Sequence, residues 1–161
     1  MIRYGIVIPL EDIFEIEAKK AKMDTKEFML KILKEQVEDK EERKKAVKEF
    51  KNNPLSALWG YGIIDDLRHI FFDPLTTNPL EDPRGDVIFI GRRESFEDGI
   101  LIPFSLIDNS IPRNERDKID QILMDKGYGE YPPSLWFVLS SEEHQLSTTY
   151  TQKPTESERL P

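Results

Sequence analysis

Residues 2–9 read Ile-Arg-Tyr-Gly-Ile-Val-Ile-Pro and open the stretch that decides the fold. Alternate residues of this run share one face, as expected of a strand that Pro9 ends: Tyr4, Ile6 and Ile8. A helical pattern over Leu10–Met23 follows, and a short break at Lys22–Thr25 separates it from a second one. One short strand and two helices cannot close a core alone. The stretch must therefore pair with a second copy or pack into a larger α+β domain.

The second helical pattern begins at a capping signal. Asp24 is followed three residues later by Glu27, an Asp-x-x-Glu arrangement that is typical of a helix N-terminus. Apolar residues at helical spacing continue it: Phe28, Met29, Ile32, Leu33 and Val37. Residues 38–45 are all charged, and we interpret them as a solvated extension of the same helix. Asn52-Asn53-Pro54 ends it and predicts a domain boundary.

The sequence beyond this boundary predicts a small α+β domain over residues 54–144. Its expected elements are one broken helix or two short ones over 55–72, a loop over 73–86, a hairpin of Val87–Ile90 and Ile100–Ile107, a helix over Pro112–Lys126 and a strand over Ser134–Ser140. From about Gln145 the chain is rich in Ser, Thr, Gln, Pro and Glu. We expect residues 145–161 to be disordered, because few apolar side chains there can support a core.

Composition excludes several classes of site. The 161 residues include no cysteine, which rules out disulfides, zinc–thiolate sites and thiol nucleophiles. No apolar run approaches the roughly 18 residues of a membrane span, and the N-terminal run meets Glu11 and Asp12 too early to be a signal peptide. We therefore expect a cytoplasmic protein, and no pattern predicts a cofactor.

The net charge of −8 is unevenly distributed. Residues 1–53 carry 13 Lys and Arg against 12 Asp and Glu, whereas the remaining residues carry 10 against 19. The N-terminal part can approach phosphates without strong repulsion. The acidic remainder is repelled by DNA and attracts a basic partner.

The strand and the two helical patterns together resemble the ribbon-helix-helix family of dimeric DNA-binding proteins over residues 2–40. The resemblance implies a homodimer whose paired strands enter the major groove of DNA. It assigns base-facing positions to Arg3, Gly5 and Val7, and phosphate contact to the backbone near Thr25 and Lys26. No glycine lies at the break between the helices, so Lys22-Met23 must supply a positive φ there.

Candidates for other chemistry are few, and we predict no catalytic residue and no metal site. On a helix, the side chains of Asp65, Asp66 and His69 would share a face, where they could bind a metal or exchange protons. The alternative is an ordinary polar helix face. His144 follows Glu142 and Glu143 directly, and this arrangement indicates no special role.

Four residues of the second half are candidates for partner binding. Tyr128 and Tyr131 lie in a Gly- and Pro-rich turn, where exposed aromatic rings often bind partners. Arg92 and Arg93 form a basic doublet in the acidic half. The alternative is that the tyrosines belong to the core and that the arginines pair with nearby carboxylates.

Two functions follow from these patterns. The first is a DNA-binding transcriptional regulator whose acidic domain senses a ligand or binds a protein. An antitoxin is one version of this function. The second is an acidic inhibitor or immunity-type protein that binds a basic protein and no DNA. A hydrolase that uses Asp65, Asp66 and His69 is a third interpretation, and it runs against our expectation that the chain is not an enzyme.

Overall fold

A computed structural model of the chain describes residues 1–80, 86–95 and 110–137. Within these ranges the chain forms five α-helices, a π-helical turn and four strands, which confirms the α+β class. The elements are β1 (Ile2–Pro9), α1 (Leu10–Lys20), α2 (Thr25–Gln36), α3 (Lys40–Asn52), α4 (Pro54–Gly60), the π-helical turn (Arg68–Phe72), β2 (Thr76–Leu80), β3 (Val87–Glu94), α5 (Arg113–Asp125) and β4 (Ser134–Phe137).

The described strands form one antiparallel sheet in the order β2-β3-β1-β4. The strand β3 pairs along the whole of β1, from Ile2 opposite Glu94 to Pro9 opposite Val87. On the other side, β4 pairs with β1 from Ile2 to Gly5. The N-terminal strand is therefore an inner strand, which explains why six of its eight residues are buried.

One face of this sheet carries an apolar cluster, with Trp136 packed against it: Val7, Leu80, Val87 and Phe89. The rings of Phe89 and Trp136 meet edge to face at 6.2 Å. On the opposite face, the hydroxyl of Tyr4 donates a hydrogen bond to Asp120 on α5 at 2.7 Å. The sheet thus has β1 at its centre and contacts from α5 on one side.

The break between α1 and α2 forms as the sequence requires. Among the residues that the structure describes, Lys22 is the single non-glycine residue with a positive φ, of 56°. The Met23 amide donates to the Ala18 carbonyl at 3.0 Å and the Lys22 amide to the Lys19 carbonyl at 3.1 Å. This pair of bonds is a Schellman motif, in which glycine usually holds the position of Lys22.

The all-charged run is not an extension of α2, and this prediction is wrong. The helix α2 ends at Gln36, and a new helix begins at Lys40 behind Asp39, whose carboxylate accepts from the Glu42 amide at 3.1 Å. Arg43 holds the turn closed, because its Nε donates to the Val37 carbonyl at 3.0 Å. Asp39 and Glu42 repeat the Asp-x-x-Glu spacing of Asp24 and Glu27, a signal that was available in the sequence.

Phe71 joins the helices α1 and α2 in a shared aromatic core. Its ring stacks on Phe28 at a centroid distance of 6.0 Å and meets Phe14 edge to face at 6.1 Å. The predicted broken helix over 55–72 becomes α4, a set of turns and the π-helical turn. The prediction of an interrupted helix is thus correct in outline.

The predicted loop over 73–86 contains a strand, which the sequence analysis missed. The strand β2 pairs with β3 from Thr76 opposite Gly91 to Leu80 opposite Val87. Pro79 argued against a strand here, because proline lacks the backbone amide that an inner strand needs. The strand β2 is an outer strand of the described sheet, where proline is tolerated.

Several predictions fall on residues outside the described ranges. These are the second hairpin strand Ile100–Ile107, the end of the strand at residues 138–140, His144 and the tail 145–161. Within the described residues, β3 runs on to Glu94, beyond the predicted Val87–Ile90, and its neighbours are β1 and β2.

The chain divides into two compact units, but not at the predicted boundary between residues 53 and 54. One unit combines Met1–Pro9 with the residues from Phe72 onward, and the other comprises Leu10–Phe71. The strand β1 thus belongs to the sheet unit, and α4 belongs to the helical unit. The reason is pairing: the neighbours of β1 in the sheet come from the second half of the chain.

Candidate functional site

The three residues predicted to face DNA lie inside the sheet. Arg3 is only 3% exposed, and its guanidinium lies 5.2 Å from the centroid of the Phe89 ring. Val7 is 4% exposed and belongs to the apolar cluster. Gly5 lies directly opposite Gly91, where a Cβ would overlap the Ile90 carbonyl oxygen. None of the three is available as a ribbon side chain, so their placement on a DNA-facing surface is wrong.

The first half of β1 also has no free edge on which a second copy of β1 could pair. From Ile2 to Gly5, β1 is paired with β3 on one side and with β4 on the other. A second copy of the chain has no unpaired backbone there with which to form a two-stranded ribbon. The resemblance correctly predicted a strand followed by two helices, but the strand serves the chain's own sheet.

At the start of α2, where a phosphate contact was predicted, a carboxylate of the chain itself already caps the helix. The side chain of Asp24 accepts from the Glu27 amide at 3.4 Å. Thr25 is half-buried and Lys26 is exposed. Because Asp24 supplies negative charge to the helix N-terminus, a phosphate group would have to approach a carboxylate at close range.

The basic doublet is divided between two settings. Arg92 forms an ion pair with Glu94 at 2.6 Å and another with Glu115 on α5 at 3.1 Å. Arg93 is exposed. The alternative that the arginines pair with nearby carboxylates is therefore correct for Arg92. Its charge is largely satisfied within the sheet unit by Glu94 and Glu115.

The two tyrosines predicted to be exposed are buried, so this prediction is wrong. Tyr128 is fully buried and Tyr131 is 6% exposed. Tyr128 follows Gly127, which has a φ of 93°, and its amide donates to the Leu123 carbonyl at 2.8 Å. This second Schellman motif turns the chain inward and places the ring of Tyr128 5.3 Å from that of Phe72.

The residues considered for metal binding do not share a helix. Asp65 and Asp66 lie in turns, and His69 lies in the π-helical turn. In the ranges that the structure describes, no group of three His, Cys, Asp or Glu side chains is arranged to hold a metal ion. The i, i+3 and i, i+4 spacing therefore does not place the three side chains on one helix face, because the segment is not one helix.

Asp65 and Asp66 instead border a polar pocket of about 340 Å³ at the end of α4. Its lining residues are Gln36, Tyr61, Gly62, Ile63, Asp65 and Asp66. A third Schellman motif shapes it: Gly62 has a φ of 77°, and the Ile63 amide donates to the Leu58 carbonyl at 3.0 Å. Tyr61 and Gly62 therefore contribute the turn and part of the pocket wall.

A shallower groove of about 570 Å³ runs between α2 and α3. Lys31, Lys34 and Arg43 line it together with Glu27 and Glu35. Lys31 pairs with Glu35 at 3.8 Å, and Arg43 is bonded to backbone carbonyls of the α2–α3 turn. With three cationic and two anionic side chains, the groove has a net charge of only +1 and presents no strong field of either sign.

None of the helices in the described ranges combines the length and the apolar character that a bilayer crossing needs. Comparison with known proteins adds no relative: no protein family, no curated protein and no solved structure matches the chain.

Proposed function

We propose that the chain is an acidic binding protein, of the inhibitor or immunity type, that binds a basic protein partner and no DNA. The observation that carries this proposal is the position of β1. With Arg3 and Val7 buried and both edges of the first half of β1 paired, the side chains that would read bases are used in the sheet.

The charge of the chain then favours a basic partner. Residues 10–71 carry 13 Lys and Arg against 14 Asp and Glu, whereas the other residues carry 10 against 17. An excess of carboxylates speeds association with a positively charged surface and repels nucleic acid. Both effects weaken as salt is added, because ions screen charges separated by more than about 10 Å at moderate ionic strength.

The test begins with the immobilised full-length chain and an extract of the cells that express it. Proteins retained at low salt and released at high salt are identified, purified and titrated against the chain at several salt concentrations. The proposal predicts a retained protein with a basic surface, and a Kd that rises with salt. Retained proteins without basic character, or an affinity that does not change with salt, would contradict it.

Fluorescence anisotropy with the duplex upstream of the gene provides the parallel measurement. Lys26→Gln is a suitable variant, because Lys26 is exposed at the start of α2 and its replacement should leave the fold intact. The proposal predicts no duplex binding and an unchanged affinity for the basic protein. Tight duplex binding that is steep in salt and weakened by Lys26→Gln would restore the DNA-binding interpretation.

A further inference from the structure

The pocket at the end of α4 combines groups of complementary kinds. Asp65 is exposed, Asp66 is half-buried, and both line the pocket. Tyr61 contributes an aromatic ring, and Gln36, the last residue of α2, contributes a carboxamide. Within residues 1–80, 86–95 and 110–137, neither carboxylate is engaged in a hydrogen bond or an ion pair.

Two carboxylates of α3 act on Tyr61, and one of them, Glu42, also pairs with Lys45 at 3.6 Å. Partial burial, followed by the nearby carboxylates of Glu49 and Glu42 on α3, raises the pKa of Tyr61 above its ordinary value. The phenol is neutral at physiological pH, so the charge of the pocket lining comes from Asp65 and Asp66. Two carboxylates thus line a space of about 340 Å³ that is large enough for one long side chain.

We infer that this pocket binds an arginine side chain of the basic protein partner, an inference that rests on the proposed function. A guanidinium is planar, so it can stack on the ring of Tyr61 and donate several hydrogen bonds to neighbouring carboxylates and to an amide oxygen. An ammonium group is a compact, strongly hydrated charge and uses such a set less fully. A volume of about 340 Å³ suits a single side chain better than a folded segment.

The direct test uses the full-length, ¹⁵N-labelled chain and N-acetyl-arginine amide as the probe. N-acetyl-citrulline amide is the matched control, because it has the same shape without the charge. The inference predicts saturable shifts of the backbone amides of Gln36 and of residues 61–66 with arginine, and no saturable shifts there with citrulline. N-acetyl-lysine amide should bind more weakly than arginine at the same amides.

The variant Asp65→Asn/Asp66→Asn separates charge from shape. It should weaken arginine binding about tenfold or more, since charge-assisted hydrogen bonds are lost. Asp117→Asn, which removes an exposed carboxylate of α5, should leave arginine binding unchanged. Arginine shifts that do not saturate, or that persist unchanged in the double variant, would overturn the inference.

The same double variant, titrated with the captured basic protein, keeps this inference distinguishable from the proposed function. A loss of affinity for the protein in the double variant, but not in Asp117→Asn, supports both. Unchanged affinity for the protein overturns the arginine site and leaves the proposed function standing. Saturable arginine shifts without any basic partner overturn the proposed function and leave the arginine site in place.

Discussion

Gly5 and Gly91 face each other across β1 and β3, and neither position has room for a Cβ. A Cβ on Gly5 would lie 2.8 Å from Gly91 Cα and would overlap the Ile90 carbonyl oxygen. A Cβ on Gly91 would lie 2.7 Å from Gly5 Cα and would overlap the Tyr4 carbonyl oxygen. The glycine that the family resemblance placed against DNA therefore permits the close approach of two strands in the centre of the sheet.

We expect Gly5→Ala and Gly91→Ala each to lower the free energy of unfolding by about 3 kcal/mol or more, because backbone atoms must move to admit the methyl group. Urea denaturation followed by circular dichroism measures the change. Gly60→Ala is the control, since no atom lies within 4 Å of a Cβ built there. A loss below about 0.5 kcal/mol in either strand variant would show that the two strands do not pair in this register.

The Schellman motif after α4 predicts different effects of alanine substitution at two nearby glycines, Gly60 and Gly62. A Cβ at Gly60 or at Gly62 meets nothing within 4 Å, but only Gly62 has a positive φ, of 77°. Gly62→Ala should therefore cost about 1 kcal/mol in stability, while Gly60→Ala, at the end of α4, should be neutral or slightly stabilising. Thermal and urea unfolding of the pair measure the difference. Equal effects would contradict the left-handed turn at Gly62.

Lys22 carries the positive φ that glycine normally supplies at this position of a Schellman motif. Lys22→Gly should raise the free energy of unfolding by about 0.5–1 kcal/mol, because relief of the left-handed strain exceeds the entropy that glycine adds to the unfolded chain. Lys19→Gly, in the last turn of α1, is the control and should lower it by about 1 kcal/mol. A destabilised Lys22→Gly would place the end of α1 elsewhere.

The hydrogen bond from Tyr4 to Asp120 predicts a loss of stability at high pH. Burial, the bond to Asp120 and the charge of that carboxylate raise the pKa of Tyr4, because the negative phenolate is disfavoured there. The folded state thus holds the phenolic proton more tightly than the unfolded state, in which the pKa is about 10. Stability from this group is complete below pH of about 10 and is lost progressively as the pH rises above it.

Urea midpoints from neutral to strongly alkaline pH, measured for the wild type and Tyr4→Phe, test this account. Tyr4→Phe should cost about 1 kcal/mol at neutral pH, since Asp120 loses a donor. It should then lose less stability than the wild type at alkaline pH. Parallel curves for the two proteins would show that Tyr4 does not contribute to the alkaline transition.

Local signals in the sequence predicted much of the helical unit. Asp24 caps α2, α3 ends at Asn52 as the following Asn53-Pro54 indicates, and the break before Asp24 forms without glycine. These features depend on residues close together in the chain, so pattern and capping rules capture them. The turn at Asp39 was just as visible, but the charged residues around it suggested one continuous helix.

Long-range pairing explains what the sequence could not provide. The pattern that predicts β1 as a strand is local, but its partners in β3 and β4 lie 78 residues or more away along the chain, the nearest pair being Pro9 and Val87. A strand with apolar side chains on both faces favours an inner position, and the buried Val7 is consistent with that rule. The polar pocket depends on the turn after α4 and the end of α2 meeting in space, which no spacing of Asp65 and Asp66 reveals.

The placement of β1 inside the chain's own sheet is the central claim, and isotope-filtered NMR tests it most directly. A sample that mixes labelled and unlabelled chains distinguishes contacts within one chain from contacts between two. We predict contacts of β1 with β3 and β4 within one chain, including backbone contacts between the Gly5 and Gly91 strand segments, and none between the β1 strands of two chains. Contacts between two β1 strands across different chains would contradict the account and restore the DNA-binding ribbon.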